Sequence, residues 1–249
     1  MLPESLARVL ALPESARVLD LGGWAAPLNR ADWVIDAMPY GTRGAIAPRG
    51  VGPGPPRFTE GTWITRDLCD REPYPFDDDF FDFAVCTFTL EDLRDPVGVC
   101  REMSRVAKAG YVEVPSLVDE LSWQVREPSG GPWLGHDHHL WFCIPEESGL
   151  AFLKKLHSLH SNPRVRVPSW RARTLPANER VFALFWEGSL PAREWLSIES
   201  YPVGVLERAV RDRFRISRPE LAAIDLTDRA RRARHRAFSL LRRSLAHGR

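Results

Sequence analysis

Three histidines and an aspartate fall side by side in the segment GPWLGHDHHLWF, as His136, Asp137, His138 and His139, with Trp133 and Trp141 flanking them. The ordinary pKa of histidine suits proton removal near neutrality, so His139 and His138 are candidate general bases. The tryptophans offer broad apolar faces on which a pyranose or a flat ring can stack, and with His136 they are candidate substrate-binding residues. Upstream, Glu113 lies inside the apolar run YVEVP. A charge is out of place there unless it faces a cleft or a partner. Glu120 follows one loop later. Glu113, Glu120 and His139 are the donor types for an oxygen-rich divalent site, Mg2+ above all, with positions left open for hydroxyls. The plainer alternatives are an exposed histidine loop and a Glu113 that only salt-bridges Arg101 or Arg105.

A second set of residues ends three strand-like runs. VLDLGG carries Asp20 followed by Gly22 and Gly23, WVID ends on Asp36, and ITRDL ends on Asp67 and Leu68. In open α/β sheets ligands bind beyond the carboxyl ends of the strands, where strand order reverses. Glycine at such an edge admits positive φ and close approach of a ligand to the backbone. The Asp36 carboxylate could accept both hydroxyl protons of a ribose, and Asp67 could accept from an adenine amino group. Taken alone, the glycine turn is a degenerate G-x-G-x-x-G that could be a tight strand–helix turn and nothing more. A dinucleotide-binding enzyme would also use an acid after its second strand.

The elements that must position these residues read as follows. A short helix covers 4–11, and buried strands cover 16–21, 32–36 and 81–90, each apolar and bounded by turn formers. The stretch 41–56 holds five glycines and four prolines and is a loop. A helix spans 91–108, with Val97, Cys100, Met103 and Val106 on one face, and Gly110 ends it ahead of the strand 111–115. The run 151–160 is compatible with a helix, 181–188 is a late strand, and helix follows from Glu207. Apolar strands alternating with helices or loops predict an α/β fold with a mostly parallel, covered sheet.

The segment PYPFDDDFFDFAVCTFTLEDLRDPVGVCREMSRVAKAGYVEVPS resembles the post-cofactor half of class I S-adenosylmethionine-dependent methyltransferases. There a P-F-x-D-x-x-F-D run leads into a strand, an L-E-x-L turn, a helix, K-x-G and another strand. The resemblance covers about residues 15–145. It implies a Rossmann-like, seven-stranded, mostly parallel sheet with helices on both faces. It also implies S-adenosylmethionine held by Asp20, Gly22, Gly23, Asp36, Asp67, Leu68 and Thr87. One departure stands out: the third glycine is missing, because the loop reads GGWAAPLNR. A narrower resemblance, to bacterial methyltransferases found with polysaccharide-building enzymes, rests on Y-V-E-V-P-S, a following glutamate and HH-x-W. It is similar in particular to the actinobacterial enzymes of methylmannose polysaccharide biosynthesis. It implies methylation of a sugar hydroxyl, with Glu113 and Glu120 orienting the acceptor, through Mg2+ or without it.

Bulk properties bound the rest. A net charge of +1 over 249 residues argues against wholesale attraction to nucleic acid. The four cysteines are scattered without a C-x-x-C pair, which suits reduced thiols and a cytoplasmic setting. No apolar run is long enough to span a bilayer. The expected organisation is a methyltransferase domain at 1–200, with a His/Trp-rich acceptor insertion around 116–180, and a basic helical extension at 201–249. That extension holds eight arginines and no acid between Arg229 and Arg249. It suits a solvated helix face or a homodimer contact as well as RNA, and no RNA-binding module accompanies it. The competing functions are methylation of a small secondary metabolite or of RNA, and a non-catalytic binding protein on the same fold.

Overall fold

The computed structural model describes residues 1–125, 132–160, 162–168, 174–196 and 203–214, with scattered positions between 219 and 234. The chain divides into two compact units. The first comprises residues 1–117, 138–155 and 176–196, and the second 118–137, 156–175 and 197–249.

The first unit is built on a six-stranded sheet. Its strands are β1 (Val18–Leu21), β2 (Trp33–Asp36), β3 (Trp63–Thr65), β4 (Phe83–Thr87), β5 (Ala109–Pro115) and a late strand, Val181–Glu187. The order is late strand, β5, β4, β1, β2, β3. All neighbours run parallel except the late strand, which is antiparallel to β5. The class is therefore the expected Rossmann-like α/β, and the described residues supply six strands of this sheet. β1 is buried at every position and sits centrally, with Asp20 opposite Val34 on one side and Val85 on the other. Continuous burial is what a strand covered on both faces requires, and it explains the unbroken apolar runs of the sequence.

Helical cover is lighter than expected. Among the described residues, no α-helix connects β1 to β2, and only 3-10 turns lie between β2 and β3. The crossover after β4 does carry a helix, α2 (Pro96–Val106), after α1 (Pro3–Leu10) at the amino end. Pro96 at the first position fixes φ for the helix, and the Asp95 carboxylate caps it by accepting from the Gly98 N–H at 2.8 Å. Val99, Cys100, Met103 and Val106 of α2 join Leu19, Leu21, Ala84, Cys86 and Val112 of the sheet in one core. Trp141, Cys143, Leu150 and Phe152 complete that core from a second, three-stranded sheet of the same unit. That sheet contains Trp141–Pro145, Leu150–Lys154 and Ala192–Glu194.

The run 151–160 corrects its helical reading. Leu150–Lys154 is a strand, and only His157–His160 is helical. Residues 150–153 are all buried, and 150–152 pair with a strand on each side, leaving no polar face on which an amphipathic helix could rest.

The second unit has a small sheet of Ser122–Val125, Pro132–Leu134 and Val167–Pro168, the His157–His160 turn and a helix at Val203–Phe214. Most of the arginine-rich end lies outside the described residues. No helix among those described is long and apolar enough to cross a membrane.

Candidate active site at the switch point

Strand order reverses between β1 and β4, because the chain runs outward from β1 to β2 and β3 and then returns to β4 and β5 on the other side. The carboxyl ends of those two strands cannot share a covering connection, so a crevice opens there. A cavity of about 320 Å³ occupies this position, lined by Asp20 and Gly22 from β1, Val85, Thr87 and Phe88 from β4, and Ala25, Leu28 and Ile46 from the facing loops. Its volume lies at the lower end of the range for small-molecule sites.

Asp20, Gly22 and Thr87 are thus brought together as expected. Gly22 has φ +75°, and a Cβ there would fall 2.2 Å from the Thr89 hydroxyl. Only glycine fits that turn. Asp20 is buried and accepts the Leu28 N–H at 2.8 Å. Burial raises its pKa to about 7; the Leu28 N–H opposes the rise, and the Asp36 charge adds to it. Phe88 is half-exposed at the cavity mouth with φ +50°. A bulky residue held in the left-handed region is strained, and such strain concentrates at functional sites.

The other residues expected around the cofactor have different neighbours. Gly23 is not part of the cavity lining, and a Cβ there would meet the Asp20 carboxylate at 2.4 Å. The Asp36 carboxylate accepts the N–H groups of Trp24 and Met38, at 2.9 and 2.8 Å. Burial raises its pKa, and these backbone donors limit the rise. Asp36 therefore ties the turn after β1 to the end of β2. Asp67 is outside the cavity, with one oxygen 2.5 Å from the Arg94 guanidinium and the other accepting the Cys69 N–H. Its slight burial raises the pKa, but the Cys69 N–H and Arg94 outweigh that and hold it low. The Leu68 side chain is in the core, and its carbonyl accepts the Tyr74 hydroxyl at 3.0 Å.

Just past Thr87 and Phe88, the chain turns through a 3-10 segment, Leu90–Asp92. The loop into Trp141–Pro145 crosses it, with the Leu140 N–H on the Glu91 carbonyl at 2.7 Å. This crossing sets His139 Nε2 at 3.9 Å from Asp92 and 4.0 Å from the fully buried Glu91, and His138 Nε2 at 4.0 Å from Asp92. Asp92 is the residue that sequence reasoning missed. Its signal was its place in LEDL, directly after the strand that ends at the cavity.

Glu113 corrects the expected metal set. It is buried, as a charge facing inward must be, but its oxygens are held by the Met1 amino group at 3.2 Å, the Leu2 N–H at 2.8 Å and the Tyr111 hydroxyl. Neither Arg101 nor Arg105 is its partner: Arg105 pairs with Glu102 and Asp78. With its oxygens so occupied, Glu113 joins no group of three or more metal-ligating atoms among the described residues. Glu120 and His136 belong to the second unit and offer ligand atoms within 4.8 Å of each other. The same unit holds Trp133, edge-on to His160 at 5.6 Å. Trp141 is buried in the first unit, with its indole N–H on the Leu93 carbonyl at 2.7 Å. There it lines a second cavity of about 240 Å³ with Arg94, Phe152 and Glu194.

Residues 57–112 match the methyltransferase domain family. The matched stretch takes in β3, β4, α2 and the start of β5, and it leaves out β1 with its glycine turn. Similar solved structures include a S-adenosylmethionine-dependent methyltransferase from Mesorhizobium loti, 18% identical over 54% of this chain and 63% of that one, with a TM-score of 0.33. Another from Aquifex aeolicus is 17% identical over 46% of this chain and 64% of its own, with a TM-score of 0.30. This chain therefore spans less than two thirds of the length of either. No curated protein matches it.

Proposed function

We propose that this chain transfers a methyl group from S-adenosylmethionine to a hydroxyl of a sugar. The observation that carries the reading is the cavity at the reversal of strand order, between Asp20–Gly22 and Thr87–Phe88, on a fold whose 57–112 stretch matches methyltransferase domains. Asp20, the acidic group in the lining, and the backbone turn at Gly22 would hold the cofactor, which would supply the methyl group. Phe88 lies four residues before Asp92 of the Asp92–His138–His139 cluster. A sugar hydroxyl is a weak nucleophile at neutral pH, and His139, or His138 beside it, would take its proton. Orientation of the hydroxyl in line with the methyl–sulfur bond supplies the remainder of the acceleration. What supports a sugar as acceptor is the resemblance to glycan-modifying enzymes, together with the Trp141 cavity and its Arg94 and Glu194.

Incubation of the chain with radiolabelled S-adenosylmethionine and a panel of mannosides, glucosides and phenols, in the presence of chelator, tests this. Label should pass to sugars. His139→Ala should cut turnover at least about 100-fold while cofactor affinity stays within a factor of about two. Unchanged turnover in that variant would remove His139 as the base, and label on phenols alone would remove the sugar.

A second reading has its own observation. The carboxylates of Asp36 and Asp67 are engaged by Trp24, Met38, Cys69 and Arg94, and no helix begins after the glycine turn. A helix start there would have offered free N–H groups to a ligand. These features favour a methyltransferase-fold binding protein, for which the same experiment gives no transfer to any acceptor.

A further inference from the structure

We infer that Asp92, His138 and His139 form a binding site for a transition-metal dication. The two histidine Nε2 atoms approach different oxygens of the Asp92 carboxylate, at 3.9 Å for His139 and 4.0 Å for His138. These gaps are too long for hydrogen bonds. A single ion with bonds of about 2.1 Å would close these gaps by drawing the atoms to about 3.0–3.4 Å apart. All three ligand atoms lie within 4.8 Å of one another.

The surroundings are those of a built site. The imidazole rings stand edge to face with centroids 4.6 Å apart. The Leu140 N–H on the Glu91 carbonyl holds the histidine loop against the turn that carries Asp92. Glu91, fully buried, brings a second carboxyl group to 4.0 Å from the same His139 Nε2.

Two imidazoles with one carboxylate suit Mn2+, Fe2+, Co2+, Ni2+ or Zn2+. Mg2+ prefers an all-oxygen shell. Three protein ligands leave positions for water or a substrate oxygen. The site does not depend on methyl transfer being the activity. It does bear on it, because an Nε2 atom bonded to a metal cannot also accept a proton, so a bound ion silences the base proposed above.

The test uses the full chain, stripped with chelator and titrated calorimetrically with Zn2+, Mn2+ and Mg2+, with S-adenosylhomocysteine titrated into the same preparation. One Zn2+ or Mn2+ should bind per chain, with Mg2+ at least about tenfold weaker. Asp92→Ala and His138→Ala, both at solvent-exposed positions, should each weaken binding by about tenfold or more, and His157→Ala should not change it. Failure of the folded wild type to bind either transition metal would overturn the site, as would a preference for Mg2+ or an equal loss in His157→Ala. Metal binding without S-adenosylhomocysteine binding would sink the methyl-transfer reading alone, and the reverse result would sink this site alone.

Discussion

Asp20 is the residue at which the physics of the fold and of the site meet. It keeps its proton up to about pH 7 when folded, against an ordinary value of 3.8. Between those values the folded state binds more protons than the unfolded one, so stability is full below about pH 4 and is lost as pH rises through 7. The gap corresponds to about 4 kcal/mol at most. Asp20→Asn should flatten that loss, as read from urea midpoints between pH 4 and 8; an unchanged slope would show that Asp20 is not the group responsible. The same ionisation should strengthen binding of the cationic cofactor as pH rises through 7, an effect absent from Asp20→Asn. Asp36 also holds the loop that follows β1. Its replacement by alanine leaves the Trp24 and Met38 N–H groups without their acceptor and should cost about 2–4 kcal/mol. Calorimetric melting of Asp36→Ala checks this, and a change below about 0.5 kcal/mol would mean that the loop holds without it. Asp20, Gly22 and Thr87 were legible because strand ends and glycine turns are local signals. The partners of Asp36, Asp67 and Glu113 were not, because Trp24, Arg94 and the amino-terminal residues reach them only through the folded chain.

Among the elements, α2 shows most clearly how local chemistry becomes architecture. Asp95 starts it, Pro96 sets its first turn, and its apolar stripe fills the space between the two sheets of the first unit. Asp95→Ala should cost about 1 kcal/mol through loss of the cap. The matching fall in melting temperature is about 2–4 °C, with cofactor affinity unchanged. A larger fall would mean that Asp95 also braces the neighbouring loop. Strands β1, β2, β4, β5 and the late strand were readable as short, mostly apolar runs bounded by turn formers. The same pattern misled at 151–160, where a strand and a helical turn share one apolar run. Periodicity cannot separate a fully buried strand from a buried helix, and the hydrogen-bonding partners on either side decide it. The loops replacing helices between β1, β2 and β3 carried legible signals, in Pro27 and Asn29 of GGWAAPLNR and in the glycines and prolines of 41–56.

For the molecule as a whole, topology does most to place function. The parallel strands reverse their order between β1 and β4, and the cavity lies at that reversal, with the histidine cluster on the next turn of chain. The methyltransferase-like stretch supplies one wall of this arrangement, and the glycine turn outside that stretch supplies the other. Whether the two walls still make one cofactor site is the central claim. Calorimetric titration of S-adenosylhomocysteine into the purified, folded chain tests it most directly. The account predicts one molecule bound per chain, with a dissociation constant on the order of micromolar. It also predicts that binding is lost in Gly22→Leu, whose side chain would be forced into Thr89 and the cavity. Absence of binding by the folded wild type would contradict the account and leave the binding-protein reading in its place.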